Sequence, residues 1–101
     1  MEKIELSFPA TEKFRFKALA GVVGSGDLEA LFIPHQENVL KVTIKTSVDG
    51  SKLRWQNLFN RYAALHLLPM GTLDINDFAA TPGVAKLRIE QVFEDAKDGK
   101  K

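Results

Sequence analysis

Ala18-Leu19-Ala20-Gly21-Val22-Val23-Gly24-Ser25-Gly26-Asp27-Leu28-Glu29-Ala30-Leu31-Phe32-Ile33 is the stretch that decides the fold. Two strand-like apolar segments meet at Gly24-Ser25-Gly26. Glycine reaches positive φ without steric cost, short hairpin loops require it, and serine alone reaches it poorly, so the junction predicts a two-residue hairpin with Ser25 at its tip. Leu28, Ala30 and Phe32 mark one face of the outgoing strand, with Leu31 and Ile33 loading the other. The incoming strand is expected over Phe14 to Val23, alternating at first and then continuously apolar, as where a strand end is buried on both faces.

Towards the N-terminus, Ile4, Leu6 and Phe8 alternate with Lys3, Glu5 and Ser7, which predicts a first strand stopped by Pro9 and a turn from Pro9 to Lys13. In the other direction, Pro34-His35-Gln36-Glu37-Asn38 breaks the pattern and Val39 to Val48 makes a fourth strand whose register the sequence leaves open. Asp49-Gly50 then turns the chain into a helix with Ser51 as N-cap and Trp55, Leu58, Phe59, Tyr62 and Leu65 on one stripe, ending at Pro69 to Gly71. Thr72 to Phe78 alternates as a fifth strand. Val84 to Ala96 fits both periods; the entry signal Thr81-Pro82-Gly83, with proline at the first helical position, decides for a helix. The expected fold class is α+β: a mainly antiparallel sheet of about five strands with two helices packed on one face. One domain spans residues 1–101, and the basic tail Lys97-Asp98-Gly99-Lys100-Lys101 is expected to be disordered.

A chain of 101 residues has room for one modest core and little for a buried catalytic cleft. With no cysteine, a disulfide framework, a thiolate nucleophile and a Cys-ligated metal are excluded. A formal charge of +1 provides no broad basic field for nucleic acid. The N-terminus has no basic stretch followed by an apolar signal segment, and no window approaches a membrane span, so the chain reads as soluble and cytoplasmic.

Ser25 is the side chain with chemical interest. A nucleophilic serine needs a base and an oxyanion pocket. His35 stands beside Pro34 in a loop and His66 between Leu65 and Leu67, positions usual for surface or packed histidines, and the nucleophile-elbow spacing is absent. A phosphate cradle would use the glycine-rich turn, but no P-loop lysine follows and Asp27 and Glu29 carry the wrong charge. A turn with no further role, and an attachment point for a modifying enzyme, both remain open on spacing alone.

Gly21-Val22-Val23-Gly24-Ser25-Gly26-Asp27-Leu28-Glu29, Thr46-Ser47-Val48-Asp49-Gly50-Ser51 with Arg54-Trp55-Gln56, and Ala80-Thr81-Pro82-Gly83-Val84 with Leu87-Arg88-Ile89-Glu90-Gln91 follow one another along the chain. Together they resemble the acyl carrier (delta) subunits of malonate decarboxylase, over essentially the whole length. A weaker similarity extends to the carrier subunits of citrate lyase; an unmodified interaction module sharing the fold is the other alternative. The first resemblance implies that Ser25, flanked by Gly24 and Gly26, carries 2'-(5''-phosphoribosyl)-3'-dephospho-CoA through a phosphodiester. The thiol of that group would hold acetyl and malonyl units, so the chain itself would be a non-catalytic carrier. The implied partners are the alpha (acyl transferase) and beta/gamma (decarboxylase) subunits, with a prosthetic-group transferase and a malonyl transferase. Asp27 and Glu29 are then expected to repel the phosphodiester and turn the arm outwards. Trp55 falls on the apolar stripe, and Arg88 with Glu90 reads as a solvent-facing pair.

Overall fold

The computed structural model describes residues 1–99. In chain order the elements are β1 (Glu2–Pro9), β2 (Ala18–Gly21), β3 (Leu28–Pro34), β4 (Val39–Thr46), α1 (Lys52–Leu65), β5 (Gly71–Asp77) and α2 (Pro82–Asp98). They build the expected α+β fold. The sheet order is β1-β4-β5-β3-β2. Every pairing is antiparallel except β4 with β5, where α1 carries the chain back to the starting end of the sheet and β5 enters parallel to β4.

Register follows the pleat. Ile4 pairs with Ile44 and Leu6 with Val42; Val42 pairs with Leu73, Leu73 with Phe32, and Phe32 with Ala18. Because side chains alternate faces along a strand, these rows form one apolar face. Both helices cover it, since Trp55 and Phe59 of α1 and Ala85, Ile89, Val92 and Ala96 of α2 join the same buried core. The opposite face exposes Lys3, Glu5, Lys41 and Lys45. In β4, Leu40, Val42 and Ile44 share one parity and are all buried, which settles its register.

Several boundaries differ from expectation. Phe14 to Lys17 do not extend β2. The amides of Arg15 and Phe16 donate to the Ala96 carbonyl, and the Phe14 ring meets Phe32 and Phe93 edge-on at 6.0 and 6.1 Å, so this segment lies against α2. Such aromatic contacts stabilise by about 0.5–1.5 kcal/mol each beyond the area they bury. The predicted turn from Pro9 to Lys13 contains a buried Ala10 and a bridge from Glu12 to Pro69. Ser51 does not cap α1 with its hydroxyl, which donates to the Val48 carbonyl at 3.1 Å. Helix α1 stops before Pro69, at Leu65, which is solvent-exposed, so the buried stripe reduces to Trp55 and Phe59 flanked by half-buried Leu58 and Tyr62.

Helix α2 is entered as its sequence signals. Thr81 Oγ1 accepts from the Val84 amide at 3.3 Å and Pro82 takes the first helical position. The helix continues through Lys97 and Asp98, where a tail was expected, and Gly99 caps it. Lys100 and Lys101, the remainder of that expected tail, lie outside the described residues.

Candidate functional site

The β2–β3 connection runs from Val22 to Asp27, longer than the two-residue hairpin predicted, and Ser25 is exposed at its tip. The Asp27 amide donates to the Gly24 carbonyl at 3.1 Å, closing a β-turn with Ser25 and Gly26 at its centre. Of the two central residues only Gly26 has positive φ (77°), the signature of a type II turn. Gly24 does not need its freedom here. Gly21 does: its φ is 89° where the chain leaves β2. The Val22 amide donates to the Leu28 carbonyl at 3.1 Å and closes the base of the loop.

The tip is held against the end of β5. The Gly26 amide donates to the Phe78 carbonyl at 2.7 Å, and the Phe78 amide donates to the Asp27 carbonyl at 2.9 Å. Phe78 is itself placed by buried Asp77, whose carboxylate accepts from the Thr46 hydroxyl at 2.8 Å and from the Ala80 amide at 3.0 Å. Between them, Ala79 has a φ of 64°, an unusual value for a residue with a Cβ.

From the other side, Arg88 of α2 reaches the partly buried Asp27. Its Nε donates to Oδ1 at 3.1 Å and its Nη2 to Oδ2 at 2.8 Å, while Oδ1 also accepts the Leu28 amide at 2.7 Å. The Arg88 hydrogen bond, aided by that of Leu28, holds the Asp27 carboxyl below the usual carboxylate range. Asp27 in turn raises the Arg88 guanidinium. Asp27 is thus a neutralised anchor, and the expected repulsion between it and an anion on Ser25 is not supported by this geometry. Arg88 pairs with Asp27 and with Gln91 Oε1 at 3.2 Å instead of with Glu90. Residues two apart on a helix do not face each other, which was a usable signal against the Arg88–Glu90 pair once a helix was favoured.

The histidines stand elsewhere. His35 follows β3 whereas Ser25 precedes it, so the strand separates them by about 20 Å. His66 caps the C-terminus of α1 and stacks on Tyr62 at 4.6 Å, ahead of the start of β5, whose far end holds the Ser25 tip. Neither approaches Ser25 as a base. The amides of Val22, Gly26, Asp27 and Leu28 are donated within the protein, which weakens the phosphate-cradle reading too. What the arrangement offers is an exposed hydroxyl on a turn pinned from two sides, where, among the described residues, no atom lies near a Cβ placed on Gly26 and only Val22 Cγ2, at 3.9 Å, lies near one on Gly24.

Residues 15–96 match the family described as malonate decarboxylase delta subunit (MdcD). The chain belongs to this family. The malonate decarboxylase acyl carrier protein of Klebsiella pneumoniae is 58% identical over 96 residues, covering 95% of this chain and 97% of that protein. The protein of the same name from Pseudomonas fluorescens is 50% identical, covering 94% of this chain and 96% of its own. A chain in the crystal structure of a Pseudomonas malonate decarboxylase hetero-tetramer in complex with malonate superposes with a TM-score of 0.91 at 49% identity, covering 95% of this chain and 99% of that one. The sequence placed Ser25 on an exposed tip but did not reveal the Arg88–Asp27 anchor or the role of Asp77, which reads only as an alternating strand residue. Arg88–Asp27 and Thr46–Asp77 join residues distant in the chain, whereas the bond from the Ala80 amide to Asp77 spans only three positions. Trp55 is buried, in agreement with its place on the apolar stripe, and Arg54 is exposed.

Proposed function

We propose that this chain is the acyl carrier subunit of a cytoplasmic malonate decarboxylase, with 2'-(5''-phosphoribosyl)-3'-dephospho-CoA attached to Ser25 through a phosphodiester. The observation that carries the reading is an exposed serine on a projecting, anchored turn in a chain alignable almost end to end with malonate decarboxylase acyl carrier proteins. When bound, the group supplies a terminal thiol that holds acetyl and malonyl units for a transferase and a decarboxylase on other subunits.

The residues fit an attached group of this kind. Open space around Gly24 and Gly26 admits a modifying enzyme and a bulky substituent. The Gly26–Phe78 and Asp27–Arg88 bonds keep the turn from collapsing onto the sheet, and pairing with Arg88 offsets the charge of Asp27 near the phosphodiester. Tethering then replaces diffusion of a free thioester by a high local concentration at each partner. The partners in this reading are the alpha, beta and gamma subunits, the prosthetic-group transferase and the malonyl transferase.

Intact-mass measurement of the protein made in its own host, followed by digestion, tests the proposal. A large adduct on the Ser25 peptide, absent from Ser25→Ala, is expected. An unmodified pool in malonate-grown cells would overturn the reading in favour of an unmodified interaction module. Loading with citrate-derived acyl units in place of malonyl would move it to a citrate-lyase-type complex.

A further inference from the structure

Helices α1 and α2 meet where Tyr62 packs on Phe93, with ring centroids 5.4 Å apart, and elsewhere are parted by a groove of about 900 Å³. Its lining includes the buried side chains of Trp55, Ala85 and Ile89, while Leu53 and Leu65 contribute exposed apolar surface at 68% and 79% accessibility. Single exposed leucines are ordinary; an apolar groove floor bordered by them and rimmed by polar side chains is the pattern of an interaction site.

The charges around the groove select its occupant. Arg54, Arg61 and Lys86 line it against a single carboxylate, Glu90. Arg54 and Arg61 lie two turns apart on the same side of α1. None of the three cations forms an ion pair among the described residues. Secondary structure is constrained as well. The walls are helices, whose backbone groups are bonded internally, so an extended peptide entering the groove would bury amides without partners, whereas a helix brings its own hydrogen bonds.

We infer that this groove docks an acidic amphipathic helix of another subunit, with apolar side chains seated on Leu53, Leu65 and Ile89 and carboxylates facing Arg54, Arg61 and Lys86. It requires only that the chain works in a multi-subunit assembly and does not depend on Ser25 modification. The surface is distinct from the Ser25 turn. A carrier held there keeps its attachment loop free.

The test measures binding of the full chain to the remaining subunits of the host's malonate decarboxylase, purified without it, by titration calorimetry at two salt concentrations. Arg54→Glu/Arg61→Glu/Lys86→Glu should weaken binding by about tenfold or more and remove most of its salt dependence. Leu53→Asp/Leu65→Asp should weaken it by a similar factor, and both positions are exposed enough to leave the core intact. Ser25→Ala should bind as the parent does, so a failure of the tether reading and a failure of this one are distinguishable. A photo-crosslinking residue at position 65 should label a helical, acidic peptide of another subunit. Unchanged affinity in both groove variants, or crosslinking to a basic segment or to a second copy of this chain, would overturn the inference.

Discussion

Asp27 and Arg88, 61 residues apart in sequence, join the Ser25 turn to α2 through two charge-assisted hydrogen bonds of 3.1 and 2.8 Å. A bidentate guanidinium–carboxylate pair restrains direction as well as distance, so it acts on the shape of the loop more than on global stability. Arg88→Gln is expected to leave the fold intact and to accelerate amide hydrogen exchange several-fold at Gly26 and Asp27. Exchange unchanged from the parent would show that the Phe78 bonds alone hold the turn.

The same pair carries a pH signature. Its partners hold the Asp27 carboxyl below its ordinary value, so its contribution is fully present above the unfolded carboxylate pKa, about 3.9, and is lost as pH falls through the lower folded value. The difference in loop protection between parent and Arg88→Gln should be constant from about pH 7 to 5 and vanish only on stronger acidification. Exchange rates corrected for their intrinsic pH dependence check this.

The loop glycines should separate into three grades. Gly24→Ala meets only Val22 Cγ2 at 3.9 Å and has no positive φ, so it should change stability by less than about 0.5 kcal/mol. Gly26→Ala has open space but a φ of 77°, and should cost about 1–2 kcal/mol. Gly21→Ala should be the most damaging, because its Cβ would lie within 1.9 Å of the Leu28 carbonyl oxygen, at a φ of 89°. Denaturant unfolding of the three variants gives the order directly.

Removing the buried Asp77 carboxylate leaves both the Ala80 amide and the Thr46 hydroxyl without the acceptor of their hydrogen. Asp77→Ala should destabilise by about 2–3 kcal/mol and increase exchange at Gly26, whose acceptor Phe78 is placed by this turn. Ala79→Gly should act in the opposite direction, relieving about 1 kcal/mol at its φ of 64°. A stability gain from Asp77→Ala would contradict this account of the turn.

Tyr62 is the only tyrosine, so its ionisation can be followed by ultraviolet absorbance without ambiguity. Burial, with a smaller contribution from Glu90, raises its phenol above 10.0. The folded state therefore resists losing this proton, and stability should fall as pH rises from about 10 through the higher folded value. Glu90→Gln should bring the midpoint part of the way back.

Local pattern determined much of this protein. Period-two alternation in Ile4 to Phe8, Leu28 to Phe32 and Leu73 to Asp77 marked strands because one sheet face is apolar, and Thr81-Pro82 marked the start of α2 because proline, which lacks an amide hydrogen, fits the first turn of a helix, where that hydrogen has no intrahelical acceptor. The glycines around Ser25 placed a turn there for the same local reason. Tertiary structure alone decided the rest. Phe14 to Lys17 alternate like a strand, yet the Ala96 carbonyl and the contacts of the Phe14 ring with Phe32 and Phe93 claim them. Ser51 has a capping composition but gives its hydrogen to Val48. Above all, helical spacing spoke against Glu90 as the partner of Arg88 but could not name Asp27 in its place. Packing of α2 across β2 and β3 brought a guanidinium within hydrogen-bond reach of a carboxylate 61 positions away, and a bidentate ion pair depends on proximity in space, which spacing along the chain does not encode.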